Sequence, residues 1–199
     1  MKKWISVALA TFCTISFVEA ATLEEINKLI IVAPNPTIKQ VYICERESDL
    51  IDKDPQQCTK AVDMLLEMSK KATKNSLLRC EFFGVSEENC RLNDPSLYQK
   101  TDKEFFNETI AASYSNTGAL YGKNMEYKKA FAMYKKAIEY APNGDMGHLN
   151  IGFSYYHGRG VAMDKNKAYY HWNIAAKQGN QQATINLGVL CSESPWACK

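Results

Sequence analysis

Apolar residues along this chain recur mostly at intervals of three and four, the spacing that gathers them on one face of a helix. Leu23, Ile26, Leu29 and Ile30 follow Thr22-x-x-Glu25, a capping box, and Pro34 and Pro36 end that helix. Between Thr37 and Cys44, Ile38, Val41 and Tyr42 suit a helix, while the β-branched Ile38 and Val41 also suit a strand; helix is the preferred reading. Asp54-Pro55 is a cap followed by proline at the first helical position. Cys58, Ala61, Val62, Leu65 and Leu66 then make one stripe, flanked by Met64 and Met68 as further core residues. Residues 76–93 read as two short helices around Gly84, the second capped by Ser86. Asp94-Pro95 repeats the start signal, and Phe105, Phe106, Ile110 and Tyr114 continue as an apolar stripe.

From here the pattern repeats. Ile151 to Gly179 reads as two short helices joined by a turn at Gly158-Arg159-Gly160. Gly152, Ala168, Ala175 and Ala176 allow close helix approach, and Tyr155, Tyr169 and Trp172 fill the remaining space. So small a hairpin cannot bury its own apolar face and makes sense as one unit of a stack. Gly118, Gly152 and Gly188 stand 34 and 36 residues apart, preceded by Thr117, Ile151 and Leu187 and followed three residues on by Tyr121, Tyr155 and Cys191. Ala130, Tyr134 and Ala137 correspond to Ala168, Trp172 and Ala175 at an offset of 38, so the extra residues fall in the loop at Gly158-Gly160. The third unit is incomplete. Gln182 to Cys191 supplies a first helix, but Pro195 and the short tail leave no room for a second. The tail is expected to fold back as a cap, with Trp196 covering the open end.

These residues carry a resemblance to known repeats. Tyr114, Gly118, Tyr121, Ala130, Tyr134, Ala137 and Pro142 resemble the tetratricopeptide pattern, which Thr117 departs from in place of a large aliphatic residue. Ile151-Gly152, Tyr155, Gly158, Gly160-Val161, Asp164, Lys167-Ala168, His171-Trp172, Ala175-Ala176, Gly179 and Ala183 are similar to the longer-looped Sel1-like repeat. The resemblance spans the C-terminal half of the chain. It implies an all-α fold, a short right-handed α-solenoid of helical hairpins, here with a disulfide-stapled helical N-terminal part. It also implies a concave face built from the first helix of each unit. Carrying the register over places Met146, Leu149, Phe153, Tyr156 and His157 on that face in the middle unit. The unit before contributes Ala112, Ser115, Ala119, Gly122 and Lys123, and the unit after contributes Gln182, Ile185 and Val189. Phe153, Tyr156 and His157 are the expected partner-binding cluster, since rigid aromatics with a polar edge dominate interface energetics; Met146, Lys123, Ser115 and Gln182 extend it. The competing reading has Phe153 and Tyr156 simply packing on neighbouring helices.

The N-terminus sets the compartment. Lys2 and Lys3 precede an apolar run from Trp4 to Val18, and Val18-Glu19-Ala20 is a small-x-small cleavage signal. The run is too short for a membrane span, so residues 1–20 are read as a signal peptide cut after Ala20. Residues 21–93 form the N-terminal helical region and 94–199 the repeats with their half-repeat cap. Without the leader, Lys2, Lys3 and Glu19 are lost and the net charge is +1, which argues against nucleic acid or an anionic membrane surface as the partner. The mature chain keeps Cys44, Cys58, Cys80, Cys90, Cys191 and Cys198, an even set that in an oxidising compartment reads as disulfides. Sequence alone does not fix the connectivity. Near-neighbour pairing, 44–58, 80–90 and 191–198, is expected because helical hairpins bring such positions together. There is no C-x-x-C, and only His148, His157 and His171 could add nitrogen ligands, so a metal is not expected.

Catalytic motifs are missing: there is no H-E-x-x-H, G-x-S-x-G, S-x-x-K or glycine-rich phosphate loop. No cofactor is implied. The expected function is a periplasmic or secreted protein-binding module. Its most concrete version is an immunity protein that neutralises a secreted antibacterial effector such as a lipase, a role some exported Sel1-like proteins have. Two alternatives come with the resemblance. One is a β-lactam-binding or hydrolysing enzyme of the cysteine-rich Sel1 type, although the units at 114–142 and 151–179 lack the cysteine pairs of that group. The other is an envelope-assembly or host-interaction adaptor.

Overall fold

The computed structural model describes residues 35–49, 54–72 and 101–198. The expected leader, the helix expected from Thr22, the expected Cys80–Cys90 pairing and the start expected at Asp94-Pro95 lie outside these residues. Among the described residues the chain is all-α: α1 (Pro36–Asp49), α2 (Pro55–Ser69), α3 (Asp102–Lys123), α4 (Tyr127–Tyr140), α5 (Asp145–His157), α6 (Lys165–Lys177) and α7 (Gln181–Glu193), followed by a single 3-10 turn, Pro195–Cys198. The ambiguous segment at Thr37–Cys44 is helical. Each helix packs on its neighbours in sequence, and α3 also touches α1 and α5. None of these helices is long and apolar enough to cross a membrane.

Local chemistry accounts for the starts. Asn35 Oδ1 accepts from the Ile38 amide at 3.0 Å and Pro36 opens α1, because a proline at the first position removes an amide that would have no helical partner. Asp54 does the same for α2, accepting from the Gln56 amide at 2.8 Å before Pro55. Thr101 and Glu104 form a reciprocal capping box at the head of α3, with Thr101 Oγ1 accepting from the Glu104 amide at 3.2 Å. At the heads of α6 and α7, Asp164 Oδ1 accepts from the Lys167 amide at 3.0 Å and Asn180 Oδ1 from the Ala183 amide at 2.9 Å.

The apolar stripes meet as expected. Ile38, Val41, Tyr42 and Cys44 of α1 and Cys58, Ala61, Val62 and Leu65 of α2 are buried against Phe106, Ile110 and Tyr114 of α3. Cys44 and Cys58 form a disulfide across the α1–α2 pair, and Cys191 and Cys198 close the C-terminus. Both bonds suit an oxidising compartment. The buried Gln40 spans from α1 to α2, its amide donating to the Gln57 carbonyl at 3.0 Å.

Two glycines 34 residues apart make the same kind of contact. A Cβ on Gly118 would lie 2.4 Å from the Tyr134 ring, and one on Gly152 would lie 2.4 Å from the Trp172 ring. Each first helix thus receives an aromatic residue of its second helix in the notch that a missing side chain leaves. The matching loops close on matching atoms: the Glu126 amide donates to the Tyr121 carbonyl at 2.8 Å, and the Asp164 amide to the Tyr155 carbonyl at 2.9 Å. The longer loop of the second unit therefore bulges without moving either end. Thr117, the departure from the aliphatic pattern, is fully buried because its hydroxyl donates back to the Ser113 carbonyl at 2.7 Å. Nothing lies within 4 Å of a Cβ on Gly188, where the third unit has no second helix.

The tail corrects one expectation. It does fold back, but Trp196 is 60 % exposed and Ala197, 4 % exposed, is the residue that enters the core with Leu190 and Ala183. The short 3-10 turn, tied at Cys198, directs the small side chain inward and leaves the indole outside.

Candidate functional site

An open groove of about 480 Å³ crosses α3, α4, α5 and α7. From α3 it takes Ala119, Gly122 and Lys123; from α5, Leu149, Asn150, Phe153 and Ser154; from α7, Gln182 and Asn186. Tyr127, Ala130 and Tyr134 of α4 form its floor, and Arg159 projects in from the α5–α6 loop. Helix α4 sinks between its neighbours because Gly118 and Gly122 leave room for Tyr134, whose phenol burial pushes up to about 12.

Three of the expected partner-binding residues, Lys123, Phe153 and Gln182, come together in this groove, as do Leu149, Ala119 and Gly122. Phe153 is 38 % exposed, a large apolar surface at the groove centre. The remaining expected residues lie elsewhere. Ser115 is 4 % exposed, so its side chain is turned into the fold and is not available to a partner. Tyr156 points toward the C-terminal units: its hydroxyl donates to Glu193 Oε2, and its ring packs on Trp172 at 5.3 Å. Hydrogen bonding to Glu193 raises the Tyr156 pKa. His157 packs at a tilt against Phe153 at 4.3 Å and meets the edge of Tyr156 at 4.8 Å, so it braces the aromatic cluster outside the groove lining. Burial, then the nearby Arg159 charge, lower its pKa. Met146 is exposed at the start of α5, 3.9 Å from Asn180 Nδ2, which also donates to Asp145 at 2.9 Å. Ile185 and Val189 are exposed on α7 outside the groove lining, and Ala112 is half-buried.

Arg159 is the groove residue that sequence reasoning passed over as part of a two-glycine turn. Gly160 adopts φ +76°, and a Cβ there would fall 2.1 Å from the Tyr127 carbonyl oxygen, so only glycine lets the loop dock on the head of α4. Docking lays the Arg159 guanidinium over the Tyr127 ring at 5.3 Å and the Phe153 ring at 5.0 Å. The available signal was the loop itself: residues added between two repeats, carrying a cation between glycines.

A second polar cluster lies beneath the site. His148 Nδ1 and His171 Nδ1 are 2.8 Å apart, and His148 Nε2 is 2.8 Å from the Pro142 carbonyl oxygen. A carbonyl only accepts, so His148 Nε2 carries a proton; in the neutral pair its Nδ1 then accepts from His171 Nδ1–H. Burial, with the His148 and Lys167 charges adding to it, pulls the His171 pKa down to about 4. Among the described residues no group of three or more His, Cys, Asp or Glu is placed to hold a metal ion.

The His171 shift has a measurable consequence. An unfolded histidine takes its proton near pH 6.5, whereas folded His171 stays neutral down to about pH 4. Between those values the unfolded chain binds more protons. Stability is therefore full above about pH 6.5 and falls as the pH drops toward 4. Melting temperatures across that range should show this slope for the wild type and a shallower one for His171→Gln. Identical slopes would assign the acid sensitivity to other groups.

No protein-family model, curated protein or solved structure matches this chain.

Proposed function

We propose that the chain is a non-enzymatic, exported protein-binding module: a short right-handed solenoid of tetratricopeptide- and Sel1-like hairpins that takes a segment of a partner protein in the groove across α3, α5 and α7. The observation that carries this reading is the groove itself, in which Lys123, Phe153 and Gln182, residues from three successive units, line one surface. The paired contacts Gly118–Tyr134 and Gly152–Trp172 support the repeat reading, because one packing device used twice makes successive first helices present equivalent faces. The leader-like N-terminus and the Cys44–Cys58 and Cys191–Cys198 disulfides support export. Within this class we favour an immunity protein that occupies a secreted antibacterial effector. Small size, disulfide staples and a groove with an aromatic centre suit that role.

The test is capture from a periplasmic extract on immobilised wild type and on Phe153→Asp, with circular dichroism confirming that the variant is folded. A partner retained by the wild type and lost on the variant supports the groove; equal recovery on both rules it out. The immunity version makes a further demand. Co-expression must relieve the toxicity of the captured effector, and an effector equally toxic with and without the chain excludes that role.

A further inference from the structure

Resting on the groove reading above, we infer that the occupant is an extended peptide segment that places an acidic side chain against Arg159 and an apolar side chain against Phe153. The charge of the groove argues this. Among the described residues its lining contains the cation Arg159 and no aspartate or glutamate. Arg159 is exposed, its guanidinium carbon 5.3 Å from the Tyr127 ring centre and 5.0 Å from that of Phe153, and no carboxylate among the described residues pairs with it. A guanidinium that rests on aromatic rings still has N–H donors to offer a planar acceptor, and a carboxylate can meet them with two parallel bonds.

The rest of the lining fits a main chain. Asn150 lies next to Phe153 on the groove side of α5 and is half-exposed. Its carboxamide offers one donor group and one acceptor, the complement of a single peptide unit. Gln182 and Asn186 across the groove are already joined, Gln182 Nε2 donating to Asn186 Oδ1 at 3.0 Å, and form a neutral polar wall that repels neither charge. Leu149 and Phe153 supply the apolar seat. An acidic and an apolar side chain two residues apart share one face of an extended chain and would meet the cation and that seat together.

The loop insertion takes on a role in this picture. The first unit closes the same gap with fewer residues and brings no arginine to its turn. The added residues of the second unit dock through Gly160 on α4 and carry Arg159 into the groove.

The experiment is fluorescence anisotropy of the full mature chain with two labelled peptides, one repeating Glu-Ser-Leu-Ser and the other Gln-Ser-Leu-Ser, so that the acid or amide and the leucine share one face. The Glu peptide should bind at least about tenfold more tightly than the Gln peptide, consistent with a charge-assisted bond. Arg159→Gln, an exposed position, should erase that difference while its melting temperature stays at the wild-type value. Added salt should weaken the Glu peptide selectively. Equal affinities for the two peptides, no binding of either, or an unchanged preference in Arg159→Gln each overturns the inference. Equal affinities that both vanish in Phe153→Asp would reject the acidic preference while sustaining the groove; failure of the groove itself is read separately, from the capture experiment.

Discussion

Gly118→Val and Gly152→Val each destabilise the fold by about 1–3 kcal/mol, whereas Gly188→Val, the same position in the third unit, changes stability by no more than about 0.5 kcal/mol. The three glycines are equivalent in sequence and differ in what they face. At Gly152 a Cβ would press on the Trp172 ring at 2.4 Å, and the ring cannot swing aside freely because its Nε1–H donates to the Leu149 carbonyl at 3.0 Å. Moving it costs that bond and opens the packing around Ala168 and Ala175. At Gly118 a Cβ would lie 2.4 Å from the Tyr134 ring and 3.1 Å from the Ala130 carbonyl oxygen, so both side chain and backbone must yield. At Gly188 it would meet solvent. Denaturant melts of the three variants read this directly. A loss at Gly188 as large as at Gly152 would mean that something covers the third notch, and no loss at Gly152 would refute the glycine–aromatic register.

Removing the Cys44–Cys58 disulfide, by Cys44→Ala with Cys58→Ala, lowers stability by about 2–4 kcal/mol, the range for a bridge that constrains the unfolded chain. The bridge spans 14 residues and ties α1 to α2 at two fully buried positions. Loss of the bond therefore combines freedom regained by the unfolded chain with lost packing around Val62 and Leu65. The Cys191–Cys198 bridge spans 7 residues and fixes a single 3-10 turn, so its removal costs less. Guanidinium midpoints of the two double variants should fall in that order. A Cys44/Cys58 variant with the wild-type midpoint would show that α1 docks on packing alone.

Much of this architecture was legible before any coordinates, and the particular elements show why. Asp54-Pro55 starts a helix because a side-chain oxygen within three residues satisfies amides that the helix leaves open, a purely local transaction. Thr101-x-x-Glu104 carries the same message at the head of α3. The glycine–aromatic spacing was readable because one packing solution, used twice, leaves the same residues at nearly the same interval.

The candidate site was legible in part, and the line falls at side chains whose neighbours are distant in the chain. The repeat register located Lys123, Phe153 and Gln182 because helical periodicity alone decides which face a residue takes. It misplaced Tyr156, whose hydroxyl is claimed by Glu193, 37 residues on, and Ser115, which the packing of α3 against its neighbours hides. It could not bring Arg159 onto Tyr127, join His148 to His171, or choose Ala197 over Trp196 for the core. The sequence by itself determined the helices, their starts and the interval at which they repeat, since those depend on contacts within a few residues. Tertiary structure alone decided which polar groups are exposed, paired or charged in the groove, since that depends on which helices come to lie side by side.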